Sequence, residues 1–336
     1  MQNDFHFSLL ENGLDFLESS LDYLTAASAD QKSSKSAKVL AAMADEQKRH
    51  LKYALLHLSS SIELIFKERL HQEHWSLVFR DISKATREAY DSGDFQSVTF
   101  QEAQDRLISI CEIEFTQNQL RDLKNLRGRR NKIEHFGVVD SLLAVQASVS
   151  QMVSFLVDFV ETAFEQESLK KEEIKIAKVR SKLGMCKVVV EHRWKEIEGE
   201  VAKQYSSIDC PTCQQKALSA DGGKVKCLFC NYATDSRTAA DQYVSNILGF
   251  HSRYATEKDG DVWPLTTCPE CGNETFVTQV PGPHDTHNYY CFTCGQEYEA
   301  GQLEVCYDCS ELYDPGEEKG IHICNDCFRA RVAKDD

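Results

Sequence analysis

The chain has 336 residues, about two domains' worth, and its 42% apolar and 10% aromatic content is ample for a packed core, which excludes wholesale disorder. Its formal charge of −15, from 38 Lys and Arg against 53 Asp and Glu, argues against a protein that coats nucleic acid indiscriminately. No uninterrupted apolar stretch approaches the ~20 residues of a bilayer span; the best, residues 149–164, is broken by Asp158 and Glu161. Residues 1–11 are acidic and lack the basic-then-apolar pattern of a secretory signal, so a cytoplasmic location with no membrane partner is expected.

Residues 1–168 contain no proline and carry long helical periods, which predicts an all-α bundle and makes the fold mainly α. Leu10, Leu14, Leu17, Leu21 and Leu24 recur at steps of four and three and form one stripe of a first helix. A Ser- and Lys-rich stretch at 33–36 reads as a loop. A second helix is expected over residues 39–70, with Leu51, Leu55, Leu58, Ile62, Ile65 and Phe66 inward. After a turn at Asp91-Ser92-Gly93-Asp94, helices are expected over 100–113 and 118–136, the latter closed by Gly137. A last long helix carries Leu142, Val145, Val149, Met152, Leu156, Phe159 and Ala163 and runs to about Leu169. Residues 169–206 read as a basic helical connector: over 166–205, ten Lys and Arg face seven Asp and Glu. Within it, Val188-Val189-Val190 fits a strand or a buried helix equally.

From residue 207 the composition changes to short segments with Gly and Pro turns. Twelve of the fourteen cysteines lie here in six C-x-x-C pairs; Cys111 and Cys186 stand alone. Taken in order, Cys210/Cys213 pairs with Cys227/Cys230, Cys268/Cys271 with Cys291/Cys294, and Cys306/Cys309 with Cys324/Cys327. Each set suits a zinc ribbon in which two knuckles clamp one tetrahedral Zn²⁺ through four thiolates, giving modules at about 208–232, 266–296 and 304–330. Six half-sites can also interleave, so sequence leaves the pairing open. Gly272 and Gly295, one residue after a pair, suit a knuckle turn that needs φ > 0. His284, His287 and His322 lie nearby, but four thiolates already saturate each site. No open ligand position with a neighbouring H-x-E base is present, so about three structural zinc ions are expected. Residues 206–336 hold ten Lys and Arg against twenty-one Asp and Glu, and three Zn(Cys)₄ centres bring the net from −11 to −17. That sign favours a protein partner over phosphate.

The helical half contains the segment LRGRRNKIEHFG at 126–137. On a helical wheel Leu123, Leu126 and Ile133 define an apolar stripe with Arg130 in its middle, while Asn131 and His135 lie one turn apart on its edge. A guanidinium facing the core needs an anion, which either Glu134 or a phosphate can supply. Residues 121–132 hold six cations against Asp122 alone, within a domain of net charge −7, which favours a focused anionic ligand. Glu63 and Lys67, on the second helix, read as a structural ion pair before a site. A second R-x-H-like run, Arg69-Leu70-His71-Gln72-Glu73-His74, lacks the polar follower and the basic cluster.

Arg130-Asn131-x₃-His135 resembles the R-x₄₋₆-H motif of the HEPN superfamily, α-helical domains that include many metal-independent ribonucleases of toxin–antitoxin and antiphage systems. The resemblance spans roughly residues 1–165 by helix order. It implies an endoribonuclease in which His135 is general base or acid, Arg130 binds the scissile phosphate, Asn131 orients it, and Arg127 or Arg129 holds flanking phosphates. It also implies an RNA substrate, a homodimer through the helical domain and a toxin or antiviral role, with the zinc ribbons free to bind a protein partner such as an antitoxin. The other reading is a non-catalytic dimeric adaptor whose ribbons recruit a protein, with Arg130 and Glu134 forming a structural pair.

Overall fold

The computed structural model describes residues 7–28, 37–136, 140–204, 208–282, 286–316 and 322–333. The chain forms two compact units, Met1–Glu196 and Ile197–Asp336.

The first unit is built on a hairpin of α1 (Leu9–Ser28) and α2 (Ala37–Glu73). All five leucines of the expected α1 stripe are buried, as are the six inward residues expected on α2. The two helices approach closely at Gly13, where a Cβ would lie 2.7 Å from Ile65 Cγ1. Hydrogen bonds lock this crossing: Ser61 Oγ donates to the Gly13 carbonyl at 2.6 Å, and Ser20 Oγ to that of Ala54 at 2.8 Å. Phe66 of α2 then gathers the next layer. Its ring lies 5.7 Å from Phe100 on α4 (Phe100–Ser109), 5.9 Å from Phe115 and 5.0 Å from Phe159 on α6 (Leu142–Ala163). Between α4 and α6 runs α5 (Gln117–His135). Helix α6 is long and apolar enough by composition to cross a membrane, yet Val149, Met152, Val153 and Leu156 are at most 1% exposed inside the unit.

Three stretches carry structure that the sequence does not specify, each for a tertiary reason. Residues 75–98 form two 3-10 turns and α3 (Arg87–Ser92); they are held by the Arg106 guanidinium, which donates to the carbonyls of Leu77, Phe79 and Arg80 at 2.6, 2.6 and 2.8 Å. The expected helix to Leu169 breaks at Phe164, which turns extended and buries its ring, before α7 (Gln166–Lys171) resumes. The third is the basic stretch 169–206. Up to Glu196 it belongs to the helical unit, as α8 (Glu173–Met185) and most of α9 (Lys187–Gln204). Its lysines answer an acidic face of α1: Lys175 reaches Glu11 and Asp15 at 3.7 and 3.0 Å, and Lys182 reaches Glu18 and Asp22 at 3.0 and 2.6 Å. Val189 is fully buried in α9, which resolves the valine run as helix. One turn on, the buried Arg193 donates to both carboxylate oxygens of Asp158 at 2.6 and 3.1 Å and to Ser154 Oγ at 2.7 Å. The expected loop at 33–36 and the helix-ending Gly137 lie outside the described residues.

The described residues of the second unit form three small antiparallel sheets. The first joins β1 (Leu218–Asp221), β2 (Lys224–Cys227) and β3 (Ala233–Asp235), and α10 (Ser236–Asn246) and α11 (Arg253–Lys258) follow. The second has four strands, β4 (Leu265–Thr266), β5 (Phe276–Pro281), β6 (His287–Cys291) and β7 (Glu297–Tyr298). The last is the pair β8 (Glu304–Val305) and β9 (Leu312–Tyr313), followed by α12 (Asn325–Val332). The first two sheets are joined by backbone: Gly223 N–H donates to the Thr293 carbonyl at 3.0 Å. Leu303 and Leu312 pack the third module onto the apolar cluster of Phe276 and Tyr298 in the second.

Substituting Gly13→Ala is expected to lower the melting temperature of the helical unit. Alanine adds ~1 kcal/mol of helix propensity, but the contact with Ile65 costs ~1–3 kcal/mol through overpacking. Thermal unfolding followed by far-UV circular dichroism measures the sign; a rise would mean the hairpin crossing is not close-packed.

Candidate metal centres and an arginine-lined cavity

The twelve paired cysteines converge on three clusters with the sequential pairing, and in each the four sulfurs lie within 4.8 Å of one another. Sulfur–sulfur edges of 3.9 and 3.8 Å are found in the first cluster, 3.9 and 3.6 Å in the second, and 3.9 Å in the third. A tetrahedron with Zn–S bonds of ~2.3 Å has edges of ~3.8 Å, so the donor set, its charge and its spacing all fit structural zinc. Burial pushes the Cys268 thiol up to about 11. A divalent cation is what allows four thiolates to coexist at this spacing.

Five of the six half-sites share one backbone turn. The N–H of the first cysteine donates to the carbonyl five residues on, as Cys210 does to Gln215 and Cys268 to Asn273. The fourth residue returns its own N–H to the carbonyl of that cysteine, and it always has positive φ: Gln214, Asn231, Gly272, Gly295 and Ser310, at 59°, 56°, 71°, 73° and 62°. Sequence identifies the two glycines; the other three hold the same strained conformation in side-chain-bearing residues. The sixth half-site is different. Cys324 is the N-cap of α12, and Phe328 N–H bonds its carbonyl as an ordinary helical step. A thiolate there faces the positive end of the helix dipole. Gly295 has a second duty: a Cβ on it would lie 2.6 Å from the Ala220 carbonyl oxygen, where the first two modules touch.

Exposure falls unevenly across the clusters. All four cysteines of the first are buried, whereas in the third Cys309 is exposed and Cys324 and Cys327 are half-buried. His322 Nδ1 lies 3.1 Å from Glu304 Oε2, and His287 is exposed on β6, so neither enters a cluster; His284 lies outside the described residues.

The residues expected to bind RNA all lie on α5. A capping box opens this helix, with Thr116 and Gln119 exchanging side-chain and backbone bonds. Only Leu123 and Leu126 of α5 are buried, and Ile133 is half-buried, so the apolar stripe fades along the helix. Arg130 therefore does not sit in the core, as the wheel suggests. Its side chain is 39% exposed, with Nε 3.0 Å from Glu134 Oε2 and Nη1 donating to Asn131 Oδ1 at 3.2 Å. Arg129 pairs with Asp140 at 2.8 Å and holds that carboxyl below the usual range. Arg127 donates to the Gln101 amide oxygen.

Arg127, Arg130 and Asn131 line one cavity of about 320 Å³ together with Ser59 and Glu63 of α2 and Thr99, Phe100 and Gln101 at the start of α4. Glu63 also receives Lys67 at 2.7 Å, the ion pair expected from their spacing. Nothing in the sequence connects Ser59 or Gln101 to α5; only the packing of α2, α4 and α5 does. Arg129 and His135 are outside this lining. His135 is exposed in the last turn of α5, its ring 6.4 Å from that of Phe136. The other Arg/His run is occupied elsewhere: Arg69 bonds Glu73 at 3.2 Å, and His71 stacks on Tyr90 at 5.6 Å. Comparison with family models, curated proteins and solved structures gives no match for this chain.

Two outcomes follow from the metal sites. On addition of a chelator, zinc from the third cluster should be released first and zinc from the first cluster last; Cys309→Ser and Cys213→Ser variants assign the phases in a colorimetric release assay. Equal rates would show that exposure does not control access. Gly295→Ala should destabilise the zinc-bound protein more than Gly272→Ala, because both residues have positive φ but only Gly295 meets a neighbouring carbonyl. Melting temperatures of the zinc-loaded variants test the order.

Proposed function

We propose that the helical unit is a metal-independent endoribonuclease of the HEPN type, working as a homodimer, with the zinc modules as a structural and protein-docking part. The observation that carries this reading is the meeting of Arg127, Arg130 and Asn131 on one cavity, one helical turn from the exposed imidazole of His135. The chemistry needs few groups. Neutral His135 takes the proton of a ribose 2′-hydroxyl, whose oxygen attacks the adjacent phosphorus. The P–O5′ bond breaks, and the leaving oxygen takes a proton from an imidazolium supplied by a second copy of the chain. A 2′,3′-cyclic phosphate and a 5′-hydroxyl result. Arg130 stabilises the added charge on the phosphorane-like transition state, and Asn131 orients the phosphate. Phe136, next to His135, and Leu143 at the start of α6 are 89% and 76% accessible and supply apolar surface for the second copy. A toxin or antiviral role follows from the family resemblance alone.

Specific contacts favour the adaptor as the second reading. Arg130 and Arg129 already have carboxylate partners, and His135 stands outside the cavity lining. In that case the helical unit is a dimerisation scaffold and the acidic zinc unit recruits a protein.

RNA cleavage by the zinc-loaded protein in magnesium-free buffer with EDTA separates the two, with zinc content checked at the end. Wild type should leave 2′,3′-cyclic phosphate ends, and His135→Ala should lose at least ~10²-fold in rate with an unchanged melting temperature. Cleavage by neither protein supports the adaptor; equal cleavage by both removes His135 from the chemistry.

A further inference from the structure

Glu134 breaks a local rule of helix design. It sits in the last turn of α5, between Lys132 and His135. The free carbonyls at a helix C-terminus give that end a partial negative charge, which disfavours a carboxylate and favours the two cations beside it. Its i,i+4 partner Arg130 lies N-terminal to it, the weaker order for such a pair. Both side chains are also substantially exposed, at 34% and 39%, where ion pairs add little to folding. Stability therefore gives no good reason for an acid at this position.

The neighbouring arginines repeat the arrangement. Arg129 is held by Asp140, and Arg127 by the amide oxygen of Gln101. Each guanidinium assigned to phosphate thus already has an oxygen acceptor. Two of these acceptors, Glu134 and Asp140, are full carboxylates that lie six positions apart in the sequence.

We propose that Glu134 is an intramolecular stand-in for the RNA phosphate: it occupies Arg130 in the free protein and is displaced when substrate binds. This rests on the endoribonuclease reading and names how its site is regulated and what it selects. The placeholder keeps the Arg130 guanidinium extended and ordered. It also sets a threshold, since a ligand must out-compete a tethered carboxylate. A free mononucleotide offers one phosphate and competes poorly. A strand that engages Arg130 and Arg129 together replaces both carboxylates at once, so the site selects oligonucleotides with consecutive phosphates over nucleotides and inorganic phosphate.

The test uses the full zinc-loaded chain in a His135→Ala background, so that bound RNA is not cleaved. The probe is a fluorescein-labelled single-stranded RNA oligonucleotide of mixed sequence, and Kd is read by fluorescence anisotropy across a salt series. Adding Glu134→Gln should tighten binding about fivefold, a low value for two ligands coupled through one group. The slope of log Kd against log salt should steepen by up to about 0.7, because no displaced carboxylate takes up a cation to offset the one that the phosphate releases. The melting temperature should stay level or rise, whereas a merely structural pair would lower it. Glu88→Gln, an equal charge change on α3, should leave Kd unchanged within about twofold.

Unchanged Kd and slope in Glu134→Gln, with Arg130→Ala still weakening binding, overturns the placeholder while leaving the RNA reading intact. A fall in melting temperature without tighter binding assigns Glu134 to structure and likewise overturns it. No RNA binding by any variant overturns the endoribonuclease reading and the placeholder together.

Discussion

The distance between thiolate sulfurs governs the C-terminal half of the molecule. Strands of two to six residues cannot bury a core large enough to stand alone, and the sheets there have only two to four of them. What holds each sheet is a tetrahedron of sulfurs with edges of 3.6–3.9 Å, reached in the first two modules from knuckle turns that meet at the open end of one hairpin and in the third from one such turn and the N-terminus of α12. The metal supplies the long-range contact that apolar burial would supply in a larger domain. The backbone accommodates this geometry through one repeated turn, and residues as different as Gln214, Asn231 and Ser310 adopt left-handed φ to complete it.

The helical half relies on the opposite principle. Leu17, Leu21, Leu24, Ile62 and Phe66 are essentially inaccessible to solvent, and buried hydroxyls such as Ser20 and Ser61 bond backbone carbonyls instead of remaining unpaired. Helix α5 stands apart within this unit. Two leucines anchor it, and its C-terminal half presents arginines, Asn131 and His135 at the surface. A helix with so little of itself in the core is free to carry a costly concentration of charge, because few of its side chains are committed to packing. The same division of labour leaves the exposed charges on α5 and the packing on the hairpin of α1 and α2.

Much of this was legible in the sequence, for physical reasons that can be stated residue by residue. A C-x-x-C spacing is dictated by one ion and one turn, so the twelve ligands are legible in any context, whereas their pairing in sequence order is settled by the fold. The leucine steps of α1 are equally local. Phe164 was not legible, because its departure from helix is driven by a ring finding a place beside Phe159, 6.4 Å away, and nothing nearby in sequence signals it. The basic stretch after residue 169 looked like a linker because its charge was read in isolation. Its lysines prove to be complements of Glu11, Asp15, Glu18 and Asp22, some 160 positions earlier in the chain. Arg130 misled in another way: a helical wheel assumes the buried face runs the whole length of a helix, and α5 leaves the core after Leu126.

The bond from Gly223 to Thr293, with Gly295 seated against the Ala220 carbonyl, means that the first two zinc modules do not fold as independent beads. Ordering one hairpin builds part of the docking surface for the other, so the entropy cost of folding is shared between two metal-binding events. Sharing of this kind favours cooperative zinc uptake at the two sites, because a chain with one site filled has already ordered part of the other. The third module, tied to them through Leu303 and Leu312 and closed on a helix cap, adds a more exchangeable ion to that coupled pair.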